Sequence, residues 1–429
     1  MISLLPFGLF LSLFLGTGLV LTWQGVDFAF YQLPASIAII PAILLAMFIG
    51  RDPLDKQINQ FIIGAGHPNI ITMCLIYLLA GAFATIAKST GSVDASVSVG
   101  LAFFPEQFIL PGLFLVAAFL STAMGTSMGT IAAIAPIALG FTESAQMDAA
   151  LVAGTIISGA IFGDNLSIIS DTTIAATRSQ GAHMKDKFRI NFKFALPTAI
   201  LCLIILTLLA KPISLTLTAG GEILGILPYI AILVLALLGM NVFVVLIIGI
   251  LLAALIGIVT SNYQLGQWIN DINKGFANMQ DIIILSLFIG GLSELVKQQG
   301  GLAALTHGIE KLARKISPNN KKRAASIGIA SLAFNCNFFT ASNTVSIIVT
   351  GETAKQLAKE GHLTPAESAS LLDIYACINQ GLLPYGAQAL LLGATLHISP
   401  LAVVSYAFYP MLLFFISTFA FWLLTQPNK

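Results

Sequence analysis

Five acidic side chains lie inside long apolar stretches of this 429-residue chain: Asp164, Asp171, Asp281, Glu294 and Asp373. A carboxylate at the centre of a bilayer costs at least about 2.5–3.5 kcal/mol on insertion scales, so such a residue is kept for function or neutralised by a partner. No Lys or Arg is expected deep in any apolar run, so ion pairing explains these acids poorly. Asp281 and Glu294 stand near the ends of their run, where water can solvate them. Asp164 and Asp171 belong to a polar run, Gly163-Asp164-Asn165-Leu166-Ser167-Ile168-Ile169-Ser170-Asp171-Thr172-Thr173. Read as continuous helix, two turns separate the acids, which puts both on one face with Ser167. Asn165, Ser170 and Thr172 add oxygens there, and hard cations such as sodium favour oxygen ligands. Gly159 and Gly163 would let the helix unwind and release backbone carbonyls. The bland alternative has Asp164 capping a half-helix and Asp171 meeting water at the membrane boundary.

Two further clusters are polar at the centre of apolar runs. One reads Gly125-Thr126-Ser127-Met128-Gly129-Thr130, small enough for close packing. The other holds Asn335, Asn337, Thr340, Ser342 and Asn343, and is richer in amides. Half-helix ends at the midplane offer N–H groups to anions and carbonyls to cations. Asp373, Asn379 and Gln380, followed by Gly381 and Pro384, mark a third such place. Pro384 frees a carbonyl there or simply kinks the chain.

These residues need elements to hold them, and the composition says which kind. The chain is 57% hydrophobic and 9% charged with net charge +1, against about 25% charged residues in soluble proteins. That excludes a water-soluble enzyme, a nucleic-acid binder and a disordered chain, and predicts an all-α polytopic membrane protein whose first partner is the lipid bilayer. The four cysteines sit in apolar runs with no CxxC pair and read as small buried hydrophobes. A span takes about 20 apolar residues. Runs near 3–22, 33–50, 69–87, 149–176, 194–210, 223–240, 241–260, 281–298, 368–396 and 400–425 fit, the first as a span rather than a removed signal peptide. The runs 109–140 and 324–350 carry the polar centres, and their arms are too short to cross separately. Each reads as a re-entrant hairpin, buried in protein or lining a wet cavity.

If those two runs return to the side they left, only Lys88, Lys211 and Lys274 of the 20 Lys and Arg fall on one side. Arg51, Lys56, the stretch Arg178–Lys193, the stretch Lys311–Arg323, Lys355 and Lys359 fall on the other. Twelve plain crossings would spread the charge far more evenly, so the positive-inside rule favours ten spans and two hairpins with both termini cytoplasmic. Each half then has five crossings, so the second half, 216–429, runs inverted relative to the first, 1–215. A faint repeat agrees: Gly81, Lys88 and Gly91 recur as Gly290, Lys297 and Gly300 at one common interval. Discontinuous helices near 149–176 and 368–396 hold matching places in the two halves. Inverted repeats with helices interrupted at the midplane are the design of secondary transporters.

At the run Gly163-Asp164-x-x-Ser167-x-x-Ser170-Asp171-Thr172-Thr173, with Gly125-Thr126-Ser127-x-Gly129-Thr130 upstream, the sequence resembles the NhaC-type sodium/proton antiporter family of the ion transporter superfamily. The hydropathy match covers nearly the whole chain. The resemblance implies inverted repeats with re-entrant hairpins. It also implies a transport site holding Asp164, Ser167, Ser170, Asp171 and Thr172, with Thr126 and Ser127 facing them. The chain departs from the family where a Lys often follows the first Asp, a Pro the first Ser and an Asn the paired threonines; here stand Asn165, Ile168 and Ile174. Related branches look like carriers of amino acids or carboxylates, so the departures leave the cargo open.

Two transport mechanisms follow. In sodium/proton exchange, a carboxylate taken out of water holds its proton more tightly, so sodium and a proton compete at Asp164, with Asp171 (the second sodium ligand) or Asp373 in support. In the alternative, sodium or protons drive an amino acid or small carboxylate bound by the Asn335–Asn343 cluster. An intramembrane enzyme is not expected: no HExxH occurs, all five histidines lie in loops or at span ends, and no glycine motif accompanies Asp164 and Asp373 as an aspartyl peptidase pair would need. A passive channel is disfavoured by the repeat design. No cofactor is expected beyond the transported Na+ and H+. Short loops and the lack of an organelle presequence suggest a bacterial inner membrane. Related folds often dimerise, so a homodimer is a further expectation.

Overall fold

A computed structural model describes residues 2–26, 32–96, 106–143, 146–210, 223–260 and 262–424. Lys211, the proposed boundary between residues 215 and 216, and the last residue of the 400–425 run lie outside them. Among the described residues the chain is helical, with no strand. By length and composition five helices are long and apolar enough to cross a membrane: Ile2–Leu21, Pro68–Ser89, Ala149–Gln180 (counted through its break), Met184–Leu209 and Val242–Thr260. A sixth candidate joins Leu265–Asn278 to Gln280–Gln298 across a 43° bend.

Several expected spans are divided or short instead. The 400–425 run forms Pro400–Ser405 and Phe408–Leu424, while the 33–50 run forms one short helix, Ala35–Ile49, helical through Ile39. Leu227–Leu237 is 11 residues long, about 16 Å at the α-helical rise, half of a bilayer core about 30 Å thick. Three helices that no apolar-run search would find complete the set: Leu54–Ala65, Leu265–Asn278 and Gly301–Ile316. Each mixes apolar and charged residues and buries only one face.

Nine helices position the polar residues. They are α1 (Ile109–Met124), α2 (Ser127–Glu143), α3 (Ala149–Leu166), α4 (Asp171–Gln180), α5 (Met184–Leu209), α6 (Lys321–Thr340), α7 (Asn343–Glu360), α8 (Pro365–Leu382) and α9 (Ala387–Leu396). α1 and α2 meet at a tight turn in which Gly125 is left-handed, φ 67°. α6 and α7 meet at a like turn, where Ala341 takes φ 47°. Lys88 pairs with Glu143 at the end of α2 at 2.8 Å, and near the outer ends of α6 and α7 Arg314 pairs with Glu360 at 2.9 Å and Lys322 with Glu367 at 2.9 Å.

α3 is enclosed along most of its length. Every residue from Val152 to Ile161 is buried, and so is each from Gly163 to Leu166. Gly159 and Gly163 do not unwind it. Both are helical, and a Cβ at either would collide with α1, at the Phe114 carbonyl or at the Ala118 carbonyl. Their role is close backbone approach, as small residues four apart allow between membrane helices. Ser121 Oγ uses that proximity to donate to the Ala160 carbonyl at 2.6 Å.

Candidate functional site

The helix carrying the acids breaks after Leu166, not at its glycines. Ser167 is extended (φ −66°, ψ 135°), and Ser170, also extended, caps α4 by accepting from the Thr172 N–H. Hydroxyls hold the gap between them. Ser167 Oγ donates to the Thr122 carbonyl at 2.9 Å, and Thr173 Oγ1 donates to the Ser167 carbonyl at 2.7 Å. The expectation that Asp164, Ser167 and Asp171 share one helical face is therefore corrected. The Ser and Thr hydroxyls compete with the helical ladder, so periodicity does not carry across residues 167–170.

The break brings Ser170 back over the carboxylate. Ser170 Oγ donates to Asp164 Oδ1 at 2.5 Å, and Ser127 Oγ, from the first turn of α2, donates to Oδ2 at 2.9 Å. Asp164 is buried, 4% exposed. Each serine has one proton to give, so the neighbours line up behind it. Thr172 Oγ1 lies 2.8 Å from Ser170 Oγ and supplies its proton there, while Gln388 Nε2 donates to Ser127 Oγ at 3.0 Å. Gln388 Oε1 accepts from Gln380 Nε2 at 2.6 Å, and Gln380 Oε1 accepts from Asn337 Nδ2 at 3.2 Å. A chain of donors thus runs from Asn337 to Asp164, every link oriented toward the carboxylate.

Beside Asp164 lies a cavity of about 100 Å³. Its walls include Thr126, Ser127, Ser170, Asp171 and Thr172, and across from them Ser342, Asn343 and Gln388. Asp171 is exposed and opens onto it. The first turns of α2, α4, α7 and α9 all contribute residues, as does that of the helix Pro68–Ser89, so five helix N-termini converge here with their partial positive charge. No Lys or Arg lines it among the described residues. Asn69 and Thr72, from the helix Pro68–Ser89, also line it and were not anticipated; both sit in the first turns of an otherwise apolar span, where they read as boundary residues. Gln388 was missed for a similar reason, as one amide in a leucine-rich stretch.

Other expected residues are placed elsewhere. Asn335 is half-buried on a different wall of α6, where its amide bonds the Ser331 carbonyl. Thr340 closes its own turn, bonding the Cys336 and Ser342 carbonyls. Asn337 is buried and also donates to the Ala376 carbonyl at 3.0 Å. Asn379 is buried, with Oδ1 unpartnered. Asn165 turns away from the cavity: its carbonyl and Oδ1 both accept from Asn191 Nδ2 at 3.0 Å.

Asp373 overturns the expectation that no basic residue lies deep. It does not line the cavity. Its Oδ2 is 2.7 Å from Lys187 Nζ, with side-chain exposures of 0% and 1%, and it also accepts from Asn191 Nδ2 at 2.8 Å. By sequence Lys187 falls in the stretch Arg178–Lys193, which reads as a cytoplasmic loop because the apolar run begins at 194. The helix α5 begins ten residues earlier, at Met184, and its polar first turns place Lys187 and Asn191 four residues apart on the buried face. Asp281 is exposed, which agrees with its solvated reading, whereas Glu294 is half-buried and pairs with Lys297 at 2.9 Å, so a partner as well as water meets its charge.

A mostly helical membrane chain with a buried carboxylate at a helix break, facing the tips of two helix pairs, has the build of a secondary transporter. Comparison with known proteins narrows this: the chain matches the Na+/H+ antiporter family over residues 2–211 and 182–425, and belongs to that family. It is 25% identical over 406 residues to the malate-2H(+)/Na(+)-lactate antiporter of Bacillus subtilis (strain 168), covering 86% of this chain and 85% of that one. It is 22% identical over 415 residues to the Na(+)/H(+) antiporter NhaC of Alkalihalophilus pseudofirmus, 87% of each chain. It is also 23% identical over 398 residues to the arginine/ornithine antiporter ArcD of Halobacterium salinarum, 82% of this chain and 78% of that one.

Proposed function

We propose that this membrane antiporter exchanges sodium for protons, with Asp164 as the group for which the two cations compete. The observation that carries this reading is Asp164 itself: a buried carboxylate on a cavity wall, held by two hydroxyls and by no basic side chain. Thr126, Ser127, Ser170, Asp171 and Thr172 would supply further oxygens to a cation. The cavity size agrees. About 100 Å³ suits an ion with a few waters, whereas pockets for organic ligands run to about 300–1,000 Å³.

The exchange needs alternating access, and we infer that it comes from two inverted halves, 1–215 and 216–429. Four observations support an internal two-fold. Cys74 lies against Ile283 and Tyr77 OH against Ser286 Oγ, each pair 209 residues apart, as equivalent positions touching at an axis would be. Gly64 packs on Gly290 while Gly275 packs on Gly81, a reciprocal exchange of partners. Gly91 and Gly300 share a left-handed backbone at φ 74° and 76°. Ser121 bonds the Ala160 carbonyl, and Asn337 bonds the Ala376 carbonyl, both partners shifted by the same interval. The ion pairs Arg314–Glu360 and Lys322–Glu367, which lie around the start of α6 and the end of α7, support a second hairpin that returns to the side it left. The charge distribution supports placing both termini in the cytoplasm, the short loops support a bacterial inner membrane, and a homodimer is proposed only because related folds often dimerise.

A second reading has one observation in its favour. Five helix N-termini around a cavity suit an anion, and relatives of this chain are named as malate/lactate and arginine/ornithine antiporters. In that case a small carboxylate or amino acid, coupled to Na+ or H+, would sit against Asn343 and the first turn of α7. Purified protein in liposomes with a trapped pH dye and an imposed pH gradient decides between them. Sodium alone should collapse the gradient, choline should not, and Asp164→Asn should be silent. Silence with sodium, followed by a sodium-dependent signal with one organic solute, would replace the first reading with the second.

A further inference from the structure

Lys187 is the one fully buried Lys or Arg among the described residues, and its surroundings are those of a metal ion rather than of a surface ammonium. Nζ has three protons to donate, and all three meet oxygens. Asp373 Oδ2 lies at 2.7 Å, Thr173 Oγ1 at 2.7 Å and the Asn165 backbone carbonyl at 3.0 Å. A carboxylate, a hydroxyl and a peptide carbonyl are the donor types that hard cations take. A fourth oxygen, Asp373 Oδ1, is buried with no partner. The three ligands come from three elements: the last turn of α3, the first turn of α4 and the middle of α8. The site is separate from the Asp164 cavity, since neither Lys187, Asp373, Thr173 nor Asn165 lines that cavity.

We propose that this cage is a second alkali-cation site whose occupant is built into the chain: the Lys187 ammonium stands where a second sodium would otherwise bind. The tethered charge bridges the two sides of the helix break to α8 and never leaves. The mobile cation is thereby confined to Asp164, one per cycle. The inference rests on the cation-exchange reading only for the identity of the ion. It assigns Lys187 a positioning role and Asp373 a ligand role, neither of which touches the transported ion.

Removing the side chain should turn the tethered site into an exchangeable one. Sodium binding is measured on the purified full-length protein by titration calorimetry, with choline chloride keeping ionic strength constant. The wild type should show one saturable sodium event, absent in Asp164→Asn. Lys187→Ala should show two, and Lys187→Ala combined with Asp164→Asn should keep one. A Lys187→Ala protein that binds no more sodium than the wild type overturns the proposal, as does a double variant that binds none. If Lys187→Ala does not survive purification, Lys187→Ser, which leaves room and adds an oxygen, is followed by thermal melting. In the Asp164→Asn background, where the first site is gone, its melting temperature should be higher in sodium than in choline, and equal values would contradict the proposal. Should the wild type bind no sodium at all, the cation-exchange reading fails on its own, while a gain of one event in Lys187→Ala would still uphold the cage.

Discussion

The carboxylate of Asp164 is served only by hydroxyls, and this sets how its neighbours should respond to mutation. Ser127 and Ser170 each give it one charge-assisted hydrogen bond. Hydrogen bonds to charged groups are worth about 1.5–3 kcal/mol. Ser127→Ala or Ser170→Ala should therefore weaken sodium binding by about ten- to a hundredfold without abolishing folding, measured by the same calorimetric titration. Lys187 and Asp373 answer to a different rule. Removing one partner of a buried ion pair costs about 3–5 kcal/mol, because the other charge is left stranded. Asp373→Asn should thus lower thermal stability more than the double change Lys187→Met with Asp373→Leu, which leaves no charge behind. Comparing their melting temperatures checks this. Of these residues, Asp164, Ser127 and Ser170 were legible in the sequence, because polar side chains inside apolar runs stand out. Lys187 was not. A lysine ahead of an apolar run looks like loop, and nothing in hydropathy says that the helix has already begun.

At the scale of elements, the decisive feature is a helix that stops for four residues. The polar run predicted the place but not the geometry, because the serine and threonine hydroxyls that hold the gap are satisfied by carbonyls on neighbouring turns. The glycines were readable as special yet misread in role: Gly159 and Gly163 sit against α1 backbone. Gly163→Val should therefore push α3 off α1 and reduce folded protein in detergent, as judged by size-exclusion recovery. A variant that folds and transports normally would show that this close approach is dispensable. The amphipathic helices Leu54–Ala65, Leu265–Asn278 and Gly301–Ile316 escaped the sequence because a one-faced helix never makes a 20-residue apolar run. α5 gives a labelling test. Lys185 and Arg189 are exposed while Lys187 between them is buried. Single cysteines at 185 and 189 should react with a membrane-impermeant thiol reagent from the cytoplasmic side only, and one at 187 from neither side. Reaction of 185 or 189 from outside would reverse the proposed orientation.

Across the whole molecule, the donor chain from Asn337 through Gln380, Gln388 and Ser127 ties the tip of α6–α7 to the carboxylate on α3. An exchanger with one such carboxylate cannot hold sodium and a proton there together. Protons should compete with sodium, so apparent sodium affinity should fall as the pH drops through the titration of Asp164 and level off above it. The composition already made the chain a membrane protein, and the motifs placed its family. What composition could not supply was which polar residues face one another, since that depends on which helix ends converge.

The most direct test of this account counts protons. Sodium is titrated into purified protein in several buffers of different ionisation enthalpy, and the heats give the protons released per sodium bound. At a pH where Asp164 is protonated, the account predicts one proton released for each sodium bound, and neither binding nor release in Asp164→Asn. Sodium binding that releases no proton at any pH, or that persists unchanged in Asp164→Asn, would contradict it.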